Sequence, residues 1–231
     1  MRIVVIQNDP GVPFGRFQQV AINARHSLTF VRLYDGDLYP DDAAYDAIVV
    51  LGGEMGAYDT DEFPYLVDEK AFLRSVVQRG VPVLGLCLGA QLLADALGGR
   101  AYLAETPEVG FVRMTPRVVG DPLTDALTSG RVVLFHRDTF DVPPESTVLA
   151  ASDAFVHAFR VGSAVGLQPH PELTFDTLIE WVEHPDSSDI LERSGMTVAE
   201  LIRQTAAAES EMADLAEALF TEWFAEAEAS L

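Results

Sequence analysis

The chain has 231 residues, 48% apolar and 22% charged, enough for one large α/β domain or two small ones with a real core. A net charge of −21 argues against nucleic acid and an anionic membrane surface as partners, because both would be repelled. No apolar run approaches the roughly 18 residues that a membrane span needs, and a single cysteine, Cys87, leaves no internal disulfide to form.

In chain order, apolar β-branched runs alternate with helical spacing. Arg2–Gln7 predicts a buried strand, Phe14–Arg25 a helix, Ser27–Leu33 and Ala47–Leu51 two further strands. Tyr65–Arg79 carries Leu66, Phe72, Leu73, Val76 and Val77 on one helical side. Pro82–Leu86 reads as a strand, and Leu88–Leu97 as a helix closed by Gly98-Gly99. Five short strands follow, at Val109–Val119, Arg131–Phe135, Thr147–Ala151, Phe155–Arg160 and Ala164–Leu167, an antiparallel excursion on the same sheet. Glu172–Glu183 returns to helix, Pro185–Ser194 is polar and loop-like, and Thr197–Glu228 is a long acidic helix. Alternation of this kind predicts βαβ units around a mostly parallel sheet. The expected organisation is a main domain over residues 1–185 and a C-terminal helical extension over 186–231 packed on it. The N-terminus runs straight into its first strand without a cleavable signal, and with the lone thiol this predicts a cytoplasmic protein.

Cys87 sits in G-L-C-L-G, between a strand and a helix. A glycine two residues to each side of a nucleophile marks an elbow, where bulkier neighbours would clash. Backbone N–H groups and the helix dipole at such a turn favour a thiolate. Taken alone, Cys87 reads equally well as a small buried hydrophobe, so a base and a group to orient it decide the matter. Of five histidines, His26 and His184 read as surface residues and His157 lies mid-strand. His136 and His170 end apolar strands, where parallel sheets carry their chemistry. His170 lies in Q-P-H-P-E, two residues from Glu172, which supplies a Cys87–His170–Glu172 unit. Gly52-Gly53 directly follows the strand AIVVL, so the N–H groups of Gly53 and Leu88 form a candidate oxyanion hole.

Five motifs in order carry a resemblance: LGGEMGAYD (Leu51–Asp59), EFPYLVDEK (Glu62–Lys70), GVPVLGLCLGAQLLADALGG (Gly80–Gly99), FHRDTFDVP (Phe135–Pro143) and HAFRVGSAVGLQPHPELT (His157–Thr174). They resemble the class I (triad-type) glutamine amidotransferases, particularly a free-standing branch similar to the glutaminase domain of GMP synthase. The resemblance implies a flavodoxin-like α/β sandwich of three layers, with helices on both faces of a mostly parallel sheet. It implies Cys87 as nucleophile, His170 as general base and acid, Glu172 as its orienter, and Gly53 and Leu88 as oxyanion donors. Gln91, His136 and Asp138 are the implied substrate contacts, with no metal and no cofactor.

The implied reaction is hydrolysis of the side-chain amide of L-glutamine through a γ-glutamyl thioester. Ammonia would pass to an ATP-dependent synthetase on another polypeptide, because GGEMGA lacks the lysine of a phosphate-binding loop. A second copy of the chain is a further candidate partner. The alternatives are a stand-alone γ-glutamyl hydrolase or peptidase with the same triad, and a catalytically silent binding subunit. Two residues depart from the family pattern. Pro169 stands where an aromatic residue precedes the histidine, and could alter its placement. Arg137 stands where relatives often have glycine, and reads either as a site for a second carboxylate or, the preferred reading, as pointing to solvent.

Overall fold

The computed structural model describes residues 1–231 apart from 42, 43 and 186. Ten strands and seven α-helices follow one another as β1 (Arg2–Gln7), α1 (Gly15–Asn23), β2 (Ser27–Arg32), β3 (Ala47–Val50), α2 (Tyr65–Gln78), β4 (Val83–Leu86), α3 (Leu88–Ala96), β5 (Arg100–Arg113), β6 (Thr115–Pro116), α4 (Pro122–Leu127), β7 (Arg131–Asp141), β8 (Thr147–Ala151), β9 (Val156–Val161), β10 (Ala164–Leu167), α5 (Phe175–Glu183), α6 (Ser187–Ser194) and α7 (Val198–Ala229), counted among the described residues. The main sheet has the order β2-β1-β3-β4-β10-β9-β8-β6. Its first four pairings are parallel and the last three antiparallel. This is the flavodoxin-like order, extended at one edge by an antiparallel flap.

β3, β4 and β10 are apolar at every position, and β1 from Ile3 to Ile6, because helices cover both faces. Ile3, Val5, Val49 and Leu84 pack with Phe17 of α1 and with Leu219, Phe220 and Trp223 of α7. The alternate residues Val4, Ile6, Ile48 and Val50 pack with Leu66 and Leu73 of α2 and Leu92 and Leu93 of α3. α7 therefore supplies one of the two covering layers. Its start is fixed by Thr197, whose side-chain oxygen accepts the Glu200 N–H at 3.2 Å. No helix among the described residues is long and apolar enough to cross a membrane.

The middle of the chain departs from the sequence reading. The strand expected from Val109 begins at Arg100 and pairs with β7 in a separate two-stranded ribbon, while only β6, β8 and β9 extend the main sheet. Gly98-Gly99 ends α3 and the chain re-enters extended structure at once, so the polar start of β5 carries no strand signal of its own. The expected loop Pro185–Ser194 contains α6 over Ser187–Ser194, with Asp186 outside the described residues. Leu191 of α6 is buried in a third cluster with Leu178, Val182 and Leu201, and that tertiary contact overrides the polar composition. α5 begins at Phe175 rather than Glu172, because Thr174 caps it by accepting the Thr177 N–H. Glu172 thus lies in the turn before the helix. His26, expected at the surface, has a side chain only 3% exposed, set edge-on to Phe224 with ring centroids 4.5 Å apart.

Candidate active site

Cys87 is the N-cap of α3 and occupies φ 49°, ψ −106°, a conformation that a non-glycine residue adopts only under strain. The flanking glycines permit this turn. A Cβ on Gly89 would stand 2.3 Å from the Val50 carbonyl oxygen, and one on Gly85 2.5 Å from the Gly89 carbonyl. The Cys87 N–H donates to Leu167 O at 2.8 Å, which ties the elbow to the end of β10. The next residues after β10 are Gln168, Pro169 and His170, so this one bond sets the cysteine beside the histidine motif.

His170 is held from several directions. Its N–H donates to Val133 O at 3.0 Å, and its Nδ1 lies 2.7 Å from Glu172 Oε1. Trp181 of α5 meets its ring at 78° with centroids 4.9 Å apart, and the indole N–H donates to Gly11 O at 2.8 Å. Cys87 also lies close enough to act on the imidazole electrostatically, in the same direction as Glu172. Burial opposes protonation of the imidazole, but the Glu172 carboxylate and then Cys87 outweigh it and raise His170 from 6.5 to about 10. The proline ahead of the histidine leaves it in reach of both partners.

Gly52 and Gly53 lie against this group. A Cβ on Gly52 would be 3.4 Å from His170 Cε1 and 3.5 Å from Cys87 Cβ, and one on Gly53 would be 2.8 Å from Leu88 Cδ2. The loop is pinned from β1's end by Asp9, whose Oδ2 accepts the Glu54 N–H at 3.0 Å. Gly53 and Leu88 are therefore neighbours, and Leu88 directly follows Cys87.

The three expected substrate contacts form a buried network rather than an open pocket. Gln91 Nε2 donates at 3.2 Å both to Asp138 O and to Gln168 Oε1, and Gln168 Nε2 in turn donates to Cys87 Sγ at 3.4 Å. Asp138 Oδ1 accepts the Tyr58 hydroxyl at 2.5 Å. Arg137 leaves half of its side chain in solvent, while its Nε faces Asp138 Oδ2 at 3.4 Å and its Nη2 donates to Glu54 O at 2.7 Å, bridging the loop to β7. His136 turns from Cys87 towards Glu108 and His157. Burial lowers His157 to about 4, against the pull of Glu108, so this ring is neutral at pH 7.

Sequence reasoning missed Gln168, Tyr58 and Trp181. Gln168 was within sight, two residues from His170 in the same Q-P-H-P-E motif, and Tyr58 lies near the end of LGGEMGAYD. Trp181 had no local signal, since it reaches His170 only through the packing of α5.

The profile of the family Glutamine amidotransferase class-I matches residues 17–179, which include the elbow and the histidine motif. The chain belongs to the class-I glutamine amidotransferase family. It is 28% identical over 196 residues to the glutamine amidotransferase-like protein YfeJ of Salmonella typhimurium, covering 80% of this chain and 81% of that protein. Identity to the glutamine-hydrolysing GMP synthase of Porphyromonas gingivalis is 29% over 162 residues, covering 68% of this chain but only 31% of the synthase. It is 30% over 144 residues to a γ-glutamyl-L-1-hydroxyisopropylamide hydrolase of a Pseudomonas species, 57% of this chain and 48% of the hydrolase. The crystal structure of a glutamine amidotransferase from Thermotoga maritima superposes with a TM-score of 0.83 at 26% identity, covering 96% of this chain and 97% of that one.

Proposed function

We propose that this protein hydrolyses the side-chain amide of glutamine, with Cys87 as nucleophile, His170 as acid and base, and Glu172 as the group that orients and charges His170. The observation that carries this reading is Glu172 Oε1 at 2.7 Å from His170 Nδ1, with His170 Cε1 and the Cβ of the elbow cysteine both lying against Gly52. The thiolate attacks the γ-carboxamide carbon, and the oxygen that becomes negative is met by the N–H groups of Gly53 and Leu88. The imidazolium of His170 gives its proton to the amide nitrogen, the C–N bond breaks and ammonia leaves. Neutral His170 then takes a proton from water, whose oxygen attacks the γ-glutamyl thioester and releases glutamate and the sulfur. Gln168 and Gln91 hold the sulfur side of the pocket, and Asp138 receives the substrate's α-ammonium group when Tyr58 gives way. The ammonia goes to an ATP-dependent synthetase, a role supported by the match of this chain to about a third of a glutamine-hydrolysing GMP synthase.

A second reading, hydrolysis of a larger γ-glutamyl amide, has one observation in its favour. Arg137 and Asp138 place opposite charges together at the site, and a relative carries the name of such a hydrolase. The experiment is a comparison of kcat/KM for free glutamine against γ-glutamyl alkylamides and γ-glutamyl dipeptides, by ammonia or amine release. Glutamine is expected to be preferred by at least tenfold; an inverted ratio would transfer the assignment to the second reading. Activity toward none of them would remove both.

A further inference from the structure

Outside the Cys87 site, Glu108, His136 and His157 are a group of metal-ligating side chains that converge among the described residues. One ligand atom from each lies within 4.8 Å of the other two. Strand register builds this meeting. Glu108 and His136 are direct partners across the β5–β7 ribbon, just past the irregularity that shifts its register between Leu103 and Glu108. His157 is the extra residue of a bulge in β9, where Val156 and Ala158 stand opposite the consecutive Ala151 and Ala150. A bulge re-aims a side chain that regular pleating would send elsewhere.

The proton arrangement points to a cation. His136 Nδ1 lies 2.9 Å from Asp138 O, and a carbonyl only accepts, so that nitrogen carries the hydrogen. In the neutral ring, Nε2 then presents a lone pair to Glu108 Oε2, 3.2 Å away. Both atoms are buried without a hydrogen-bond partner, so two acceptors face each other. An Nδ1–H bound to a backbone carbonyl is also the arrangement that fixes ligand histidines in metal sites. His157 Nε2 is 3.4 Å from the same carboxylate oxygen and 3.0 Å from Ser152 Oγ, a hydroxyl that an incoming ion would displace. Ligands at zinc bond lengths in a tetrahedron stand about 3.3 Å apart, close to both separations from the carboxylate.

We propose that Glu108, His136 and His157 bind a divalent first-row transition-metal ion, for which zinc is the best match to two imidazoles and one carboxylate. Water completes the coordination from the side of Glu108, whose side chain is 18% exposed, while both rings are closed to solvent. The ion clamps β5, β7 and β9 together. Asp138 O receives both the His136 ring and Gln91, and His157 O accepts the Gln168 N–H at 2.8 Å, so the clamp stands directly behind the network that reaches Cys87. This departs from the sequence expectation that no metal is bound.

The test uses Cys87→Ser protein, so that the thiol cannot act as a ligand, dialysed against a chelator and then titrated with Zn²⁺. One ion per chain is expected, with a rise in thermal midpoint. Glu108→Gln and His157→Gln, each in the Cys87→Ser background, should weaken uptake at least tenfold and lose the rise. Absence of stoichiometric uptake, or uptake unchanged in both variants, would overturn the site. Should either variant unfold by circular dichroism, ¹⁵N chemical shifts of the His136 and His157 rings in the Cys87→Ser protein decide. Rings that shift on adding Zn²⁺ support coordination; unshifted rings would leave only a hydrogen-bonded His–Glu–His cluster.

Discussion

At the scale of single residues, the chemistry turns on where one proton rests. His170 is raised from 6.5 to about 10 in the folded protein, so its paired, protonated form contributes stability that is complete below about pH 6.5 and is lost as pH rises through about 10. The same proton is the one that ammonia needs to leave, and the rate is expected to fall with it. Glu172→Gln removes the negative charge that does most to hold that proton, while burial still opposes it. The alkaline limb of kcat/KM should therefore move to lower pH, and kcat should drop; a limb unchanged in position would contradict the role given to Glu172. Cys87, His170 and Glu172 were legible in the sequence because their spacing is local to two short motifs. The Gln168–Cys87 hydrogen bond was not, since it depends on strands far apart in the chain. The Arg137–Glu54 contact escaped it for the same reason: the two residues are 83 positions apart.

At the scale of elements, the elbow is a steric construction. α3 lies so close to β3 that a methyl group at position 89 would meet the Val50 carbonyl oxygen at 2.3 Å, which backbone must move to relieve. Gly89→Ala is expected to cost about 1–3 kcal/mol in urea unfolding, as overpacking does. It should also lower kcat by about 10²-fold, because a displacement near 1 Å at the nucleophile has that effect. Full activity in the variant would show that the elbow tolerates movement. The strands and helices of the first hundred residues could be read from the sequence, because the strands are short apolar runs buried on both faces and α2 carries helical spacing with a buried side. β5 and α6 could not, because one is a ribbon strand of mixed polarity and the other is a polar helix held by Leu191 against its neighbours.

At the scale of the whole molecule, α7 links the C-terminal segment to the same core as the catalytic strands. Leu219, Phe220 and Trp223 pack with Phe17 and with residues of β1, β3 and β4. Among its acidic residues this helix carries an apolar stripe, and the packing gives that stripe to the sheet. We propose that residues 1–185 form the amidotransferase domain and 186–231 an extension that unfolds with it. Trp223→Ala should destabilise the protein by about 3–5 kcal/mol and lower the midpoint of one shared transition, with glutaminase activity and helical signal lost together. A separate early loss of helix, with activity retained, would divide the chain into two units.

The central claim is that an activated sulfur at Cys87 attacks a glutamine-like carbonyl with the help of His170. Intact-protein mass after treatment with a chloroketone or diazoketone analogue of glutamine measures this directly. Wild type should gain one adduct, mapped to Cys87 and suppressed by excess glutamine, and His170→Ala should gain it far more slowly. A wild-type chain that stays unmodified, or that labels equally fast without His170, would contradict the account.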